Sequence, residues 1–223
     1  MNAAQRRYDL VIFDCDGVLI DSEFLACRID AEELTRIGYP ITTAEVVLRF
    51  AGLSAGSMRI AIEADWGRRL PDDFDDVLQA KIKDGYRREL RAIDGIDALL
   101  VGLPLPFCVA SSSQPDKLRL GLELTDLWRR FDPNVFSASM VKAGKPAPDL
   151  FLHAASVMGH APCRCIVVED SLAGVTAGIA AGMQVIGFTG GRHCGADHGE
   201  RLRAAGATFL AQSADEIAAI LSA

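Results

Sequence analysis

A long hydrophobic run is missing from these 223 residues. No stretch reaches the roughly 20 apolar residues that a bilayer span needs. The amino-terminal segment MNAAQRRYDLVIFDCDG turns acidic after a short apolar run, so a secretory leader is not expected either. An excess of positive charge is also missing. The 23 basic residues are outnumbered by 30 acidic ones, for a net charge of −7, and this removes the basic footprint that broad nucleic-acid binding requires. Cysteine is present six times but without framework spacing, which fits reduced thiols in a cytoplasmic protein. Cys163 and Cys165 lie two apart, yet no second pair completes a zinc set, so packing is their expected role. Internal repeats, low-complexity runs and flexible linkers are absent from the sequence as well.

What remains is an ordinary globular composition, half apolar and 24% charged, enough for a sizeable core. Short apolar runs alternate with helical patterns. Tyr8 to Phe13, Pro106 to Ala110, Arg164 to Val168 and Gln184 to Phe188 read as buried strands, with Asn134 to Ala138 weaker and Ala207 to Ala211 a plausible last one. Between them, Pro115 to Leu124, Pro148 to Met158, Leu172 to Ala181 and the segment from Ala214 read as helices. Strands buried on both faces and separated by helices predict a Rossmann-like, doubly wound parallel sheet in the order 3-2-1-4-5. Residues 21–92 break this rhythm with helical patterns and no convincing strand. They predict an all-helical cap inserted into a core made of residues 1–20 and 93–223.

Chemistry-bearing residues stand at the predicted strand ends. After the first strand come Asp14 and Asp16, with Gly17 behind them. Ligands of an open parallel sheet bind beyond the carboxyl ends of its strands, and two acids this close repel unless a cation joins them. An acidic turn capping the next helix is the plain alternative. Ser111, Ser112 and Ser113 follow the second strand, where hydroxyls and free N–H groups can hold phosphate oxygens. Lys145 lies just before the helix near Pro148, its backbone fixed by prolines. Glu169 and Asp170 end another buried strand, where paired acids need a counter-ion.

Two acids, a hydroxyl, a lysine and two more acids, in that order, form the motif set of the haloacid dehalogenase-like superfamily, and the chain resembles it over nearly its whole length. DCDGVLIDSE, KPAPD and EDSLAGVTAGIAAGM are similar to the subfamily with a helical cap, which includes β-phosphoglucomutase and small sugar-phosphate phosphatases. The resemblance implies that Asp14 attacks phosphorus and becomes an aspartyl-phosphate, while Asp16 serves as general acid and then base. It implies Mg²⁺ held by Asp14, the Asp16 carbonyl and Asp170, with Glu169 bound directly or through water. Ser111, Ser112 and Lys145 would bind the phosphoryl oxygens. Arg49, Ser54 and Arg59, in the cap stretch that faces substrate in relatives, are candidates for specificity.

The expected activity is hydrolysis of a small phosphorylated metabolite, a sugar or sugar-acid phosphate, by a cytoplasmic monomer or weak homodimer with no nucleic-acid or membrane partner. A phosphomutase is the main alternative. The cap histidine and cap arginine that a mutase of this kind uses align with Ala26 and Ala55, which favours hydrolysis. A non-catalytic module would have lost the nucleophile or a metal acid, and a receiver-like regulator would lack the helical insert. His193, Cys194 and His198 lie in the glycine-rich TGGRHCGADHG, without metal-site spacing or a fourth ligand, and are expected in a surface loop. Cys15 should face away from the acids, and Asp21 and Glu23 are assigned to the cap hinge.

Overall fold

A computed structural model describes residues 7–50 and 55–222. The chain divides into two compact units, Met1–Asp21 with Arg91–Ala223, and Ser22–Leu90. The first holds a six-stranded parallel sheet made of β1 (Leu10–Phe13), β2 (Phe107–Ser111), β3 (Val135–Ser137), β4 (Cys165–Glu169), β5 (Gln184–Phe188) and β6 (Phe209–Ala211). Their order is β3-β2-β1-β4-β5-β6. This is the expected order, with the last strand added beyond β5. All pairings are parallel.

The central strand shows why its sequence is apolar without interruption. Successive side chains point to opposite faces, and both faces of β1 are covered. Leu10 and Ile12 pack with Cys108, Ala110, Cys165 and Val167 on one side. On the other, Phe13 meets Phe107 and Phe131 edge-on at 6.4 and 6.3 Å between ring centroids. All four residues of β1 are buried.

Helices of this unit are α5 (Ile96–Gly102), α6 (Pro115–Leu124), α7 (Trp128–Phe131), α8 (Asp149–Val157), α9 (Leu172–Ala180), α10 (His198–Ala204) and α11 (Ala214–Ser222). The helix α6 begins at a proline, whose fixed φ suits a first helical position. In α9, Ser171 caps the start by accepting a hydrogen bond from the Gly174 N–H at 3.0 Å. Gly178 of the same helix lies so close to the sheet that a Cβ there would stand 2.6 Å from Val185 Cγ2. Its glycines therefore serve close helix–sheet packing.

The second unit is helical among its described residues: α1 (Ser22–Arg36), α2 (Thr43–Phe50), α3 (Ala55–Trp66) and α4 (Phe74–Glu89). Thr42 and Glu45 form a reciprocal capping box at the start of α2, with Glu45 Oε2 accepting from the Thr42 N–H at 2.8 Å and Thr42 Oγ1 accepting from the Glu45 N–H at 3.2 Å. Glu33 of α1 is buried and is held by Arg36 and by Lys81 of α4. No described helix is long and apolar enough to cross a membrane.

Candidate active site

Where β1 stops, the chain turns sharply. The Leu19 and Ile20 N–H groups both donate to the Cys15 carbonyl, at 2.9 and 3.1 Å. Gly17 takes φ of 83° in this turn, a region open to glycine at little cost. A Cβ at Gly17 would also collide with the Asp170 carboxylate, so only glycine lets the two strand ends close up. The turn leaves Asp14 at the tip of β1, its N–H bonded to the Val168 carbonyl of β4 at 2.9 Å. Cys15 is fully buried; burial, then the charges of Asp16 and Asp14, push its thiol far up and leave it inert.

Lys145 joins two strand ends. It reaches in from the segment between β3 and α8 with its side chain only 3% exposed. The ammonium donates to Asp14 Oδ1, and to Glu169 Oε1 at 2.6 Å. Burial alone would lower its pKa, but these two carboxylates outweigh that and hold it well above the ordinary lysine value. Its Nζ also stands 4.9 Å from the centre of the Phe151 ring, a cation–π contact. Asp14 is 7% exposed. Burial raises its pKa, Lys145 opposes this, and the neighbouring charges of Glu169 and Asp170 add to the rise.

Glu169 spends its second oxygen on the start of α9. Oε2 accepts from the Ser171 N–H at 2.8 Å and from its hydroxyl at 2.9 Å. Asp170, the next residue, puts Oδ2 2.7 Å from His193 Nε2. At the end of β2, Ser111 is buried and its hydroxyl oxygen accepts from the Ser113 N–H at 3.1 Å. Ser113 in turn donates its hydroxyl to Asp16 Oδ2 at 2.6 Å, and Lys117 of α6 stands 3.1 Å from Asp16 Oδ1.

The structure therefore brings Asp14, Lys145, Glu169 and Asp170 together, with Asp16 beside them and Ser111 at the neighbouring strand end. Ser112 is exposed, and the serine that touches an acid is Ser113. Arg49 pairs with Asp65 at 2.9 Å, and Arg59 with Glu63 and Asp75 at 3.3 and 3.0 Å, all inside the helical unit. Ser54 lies outside the described residues. Sequence reasoning did not single out Lys117, whose position one turn into α6 is its only local signal.

The loop after β5 departs from the reading made of it. His193 is 8% exposed, not a surface group. Burial would lower its pKa, but its hydrogen bonds to Asp170 and then Cys194 hold it up at about 11. His198 Nε2 donates to the Asp170 backbone carbonyl at 2.6 Å. Cys194 Sγ stands 3.5 Å from His193 Nε2. Burial raises this thiol, but the two imidazoles outweigh it and bring it below the ordinary cysteine value.

The carboxylates fit a hard divalent ion. Asp14, Glu169 and Asp170 offer oxygen donors only, the set that Mg²⁺ favours, and a cation would offset the burial and, after it, the neighbouring negative charges that raise Asp14.

Known proteins bear on this geometry. The model of the haloacid dehalogenase-like hydrolase family matches residues 8–182. The chain belongs to that family. Among its relatives, 6-phosphogluconate phosphatase of Escherichia coli (strain K12) is 32% identical over 188 residues, covering 84% of this chain and 85% of the relative. A conserved haloacid dehalogenase-like protein of unknown function from Agrobacterium tumefaciens superposes with a TM-score of 0.91 at 37% identity, covering 96% of this chain and 98% of the other. A HAD family hydrolase from Deinococcus radiodurans, crystallised with bound phosphate and sodium, gives 0.88 at 30% identity and coverages of 98% and 96%.

Proposed function

We propose that the chain is a Mg²⁺-dependent phosphatase that hydrolyses a small sugar or sugar-acid phosphate through a phosphoryl group carried on Asp14. That it is a phosphoric monoester hydrolase follows from the family and from phosphatase relatives at about one-third identity. The observation that carries the finer reading is the bridge of Lys145 between Asp14 and Glu169, with Asp170 on the adjoining strand end. A buried carboxylate beside a buried cation at one strand end supports the reading of Asp14 as the nucleophile.

Asp14, the Asp16 carbonyl and Asp170 would hold the ion, with Glu169 behind them. When bound, Mg²⁺ supplies positive charge that lets an anionic nucleophile meet an anionic ester. In the first half-reaction an Asp14 oxygen bonds to phosphorus as the ester oxygen leaves. Asp16 gives that oxygen its proton. In the second, Asp16 takes a proton from water as the water oxygen attacks phosphorus, and Asp14 leaves as a carboxylate. Ser113 and Lys117, bonded to the two oxygens of Asp16, hold its carboxyl in one orientation. Lys145 neutralises charge on the phosphoryl oxygens, assisted by Ser111 and Ser112. Arg49, Ser54 and Arg59 are the helical unit's candidates for selecting among esters. Arg49 and Arg59 would have to leave their carboxylate partners to do so.

A phosphomutase would use the same acids, but Ala26 and Ala55 stand where it would need a histidine and an arginine. The test is a panel of phosphate esters that includes 6-phosphogluconate and β-glucose 1-phosphate, the latter with a catalytic amount of the bisphosphate. Free phosphate and isomerised sugar are followed together in Mg²⁺. Release of phosphate is expected; efficient isomerisation with little release would replace this reading with the mutase.

A further inference from the structure

We propose that His193, Cys194 and His198 form a binding site for a borderline-soft transition ion, with Zn²⁺ as its representative, and that filling it loosens Asp170. The second half rests on the phosphatase reading above; the first does not.

One ring nitrogen of each histidine and the Cys194 sulfur lie within 4.8 Å of one another. Ligands around a tetrahedral zinc ion stand roughly 3.5 Å apart at the usual bond lengths, so small side-chain movements suffice. Two imidazoles and a thiolate suit zinc and copper and are poor donors for Mg²⁺, while the carboxylates of Asp14 and Asp170 have the opposite preference. Three protein ligands leave a fourth position for water. The loop is built to fold His193 inward: the Cys194 N–H closes a turn on the Gly191 carbonyl at 2.9 Å. A Cβ at Gly191 would stand 2.6 Å from His193 Nδ1. That Nδ1 is buried with no hydrogen-bond partner. The two rings sit edge to face with centroids 6.0 Å apart.

Coupling to the catalytic carboxylates follows from what the two rings hold now. The Cys194 sulfur faces His193 Nε2, so the nitrogen offered to a shared ion is the one bonded to Asp170 Oδ2. His198 holds the backbone carbonyl of the same residue. An ion that takes His193 Nε2 displaces a proton from that ring if it carries one there, and from the thiol. It frees the Asp170 carboxylate from its imidazole partner. Loss of a partner that orients a metal-binding carboxylate costs about 10- to 100-fold in metal affinity or activity.

The probe is Co²⁺, titrated into the whole chain in excess Mg²⁺. A thiolate-to-cobalt charge-transfer band in the near ultraviolet, saturating at one equivalent, is expected. It should vanish in Cys194→Ser and persist in Cys163→Ser, which removes the exposed thiol. No band in the parent chain, or a band that survives Cys194→Ser, overturns the site. Cobalt at the carboxylates gives no such band, because they offer no sulfur. For the coupling, stoichiometric Zn²⁺ in saturating Mg²⁺ should lower phosphate release at least about 10-fold in the parent and much less in Cys194→Ser. Equal inhibition of both overturns the coupling. A chain that hydrolyses no ester fails the phosphatase reading, and the cobalt band still decides the site.

Discussion

At the scale of single residues, the site is a charge problem with one answer per side chain. Lys145 is the cation that makes a buried Asp14 and Glu169 tolerable side by side. Lys145→Met keeps the length and the contact with Phe151 but leaves two carboxylates facing each other. Breaking a buried pair typically costs about 3 kcal/mol or more, and losing a preorganised charge at the reacting group slows turnover by about 100- to 1,000-fold. Urea unfolding and kcat measured on the same preparation should show both losses; a full-rate variant would remove Lys145 from the chemistry. Asp14→Asn should keep the fold and abolish turnover, since an amide is nearly isosteric but no anionic nucleophile. The acids were legible from sequence because a buried strand that stops on Asp-x-Asp-Gly, or on Glu-Asp before a serine cap, is a local pattern. Lys117 on Asp16 and His193 on Asp170 were not. Their partners lie more than 20 residues away in sequence, and only the sheet order brings them together.

At the scale of elements, the start of α9 is the tightest joint. Glu169 lies across its first turn, bonded to Ser171, and the absence of a side chain at Gly174 makes the room; a Cβ there would overlap the Glu169 carboxylate. Gly174→Ala is helix-compatible in isolation but should cost about 1–3 kcal/mol from overpacking and lower kcat by displacing Glu169 from Lys145. Unchanged Tm and kcat would show that the helix start yields freely. The helical unit has its own test in Glu33, which the hydrogen bonds of Arg36 chiefly, and of Lys81, lower to about 2. A depressed carboxyl contributes stability above its unfolded pKa and loses it as pH falls through the folded one. The deficit of Glu33→Gln should thus be full near neutrality, about 1 kcal/mol because both partners are largely solvated and the attraction is screened. It should fade between roughly pH 4.5 and about 2. A deficit independent of pH would contradict this. Strands and most long helices were readable because unbroken apolar runs and proline or serine starts are local signals. The short α7 and α10 were not: four and seven residues hold too little periodicity, and α10 takes its place by burying Leu202.

Across the whole molecule, the sheet gathers more negative charge than it neutralises. Asp14, Asp16, Glu169 and Asp170 converge against Lys145 and Lys117, with His193 on one acid. A divalent ion that binds only the folded chain stabilises it by mass action, by about 2.7 kcal/mol at 100 times its Kd. Mg²⁺ should therefore raise Tm, EDTA should reverse the gain, and Asp170→Asn should abolish most of it. A Tm indifferent to Mg²⁺ would mean that the carboxylates hold no such ion. The order of the strands was legible because a parallel sheet with helical crossovers admits few topologies. The choice of ester was not, since binding residues concentrate in loops, whose sequences follow no periodic rule.

Capture of the phosphoryl group on the chain is the most direct test. With an aryl phosphate, whose leaving group needs no proton, Asp16→Asn should form the covalent intermediate at nearly the normal rate and then stall, because the base for water is gone. Acid quench during turnover in Mg²⁺, followed by peptide mass spectrometry, should find the phosphoryl group on Asp14, and should find none when EDTA is present or when Asp14→Asn is added. A phosphoryl group on any other residue, or steady release of phosphate in EDTA, would contradict the assignment of Asp14 as the metal-assisted nucleophile.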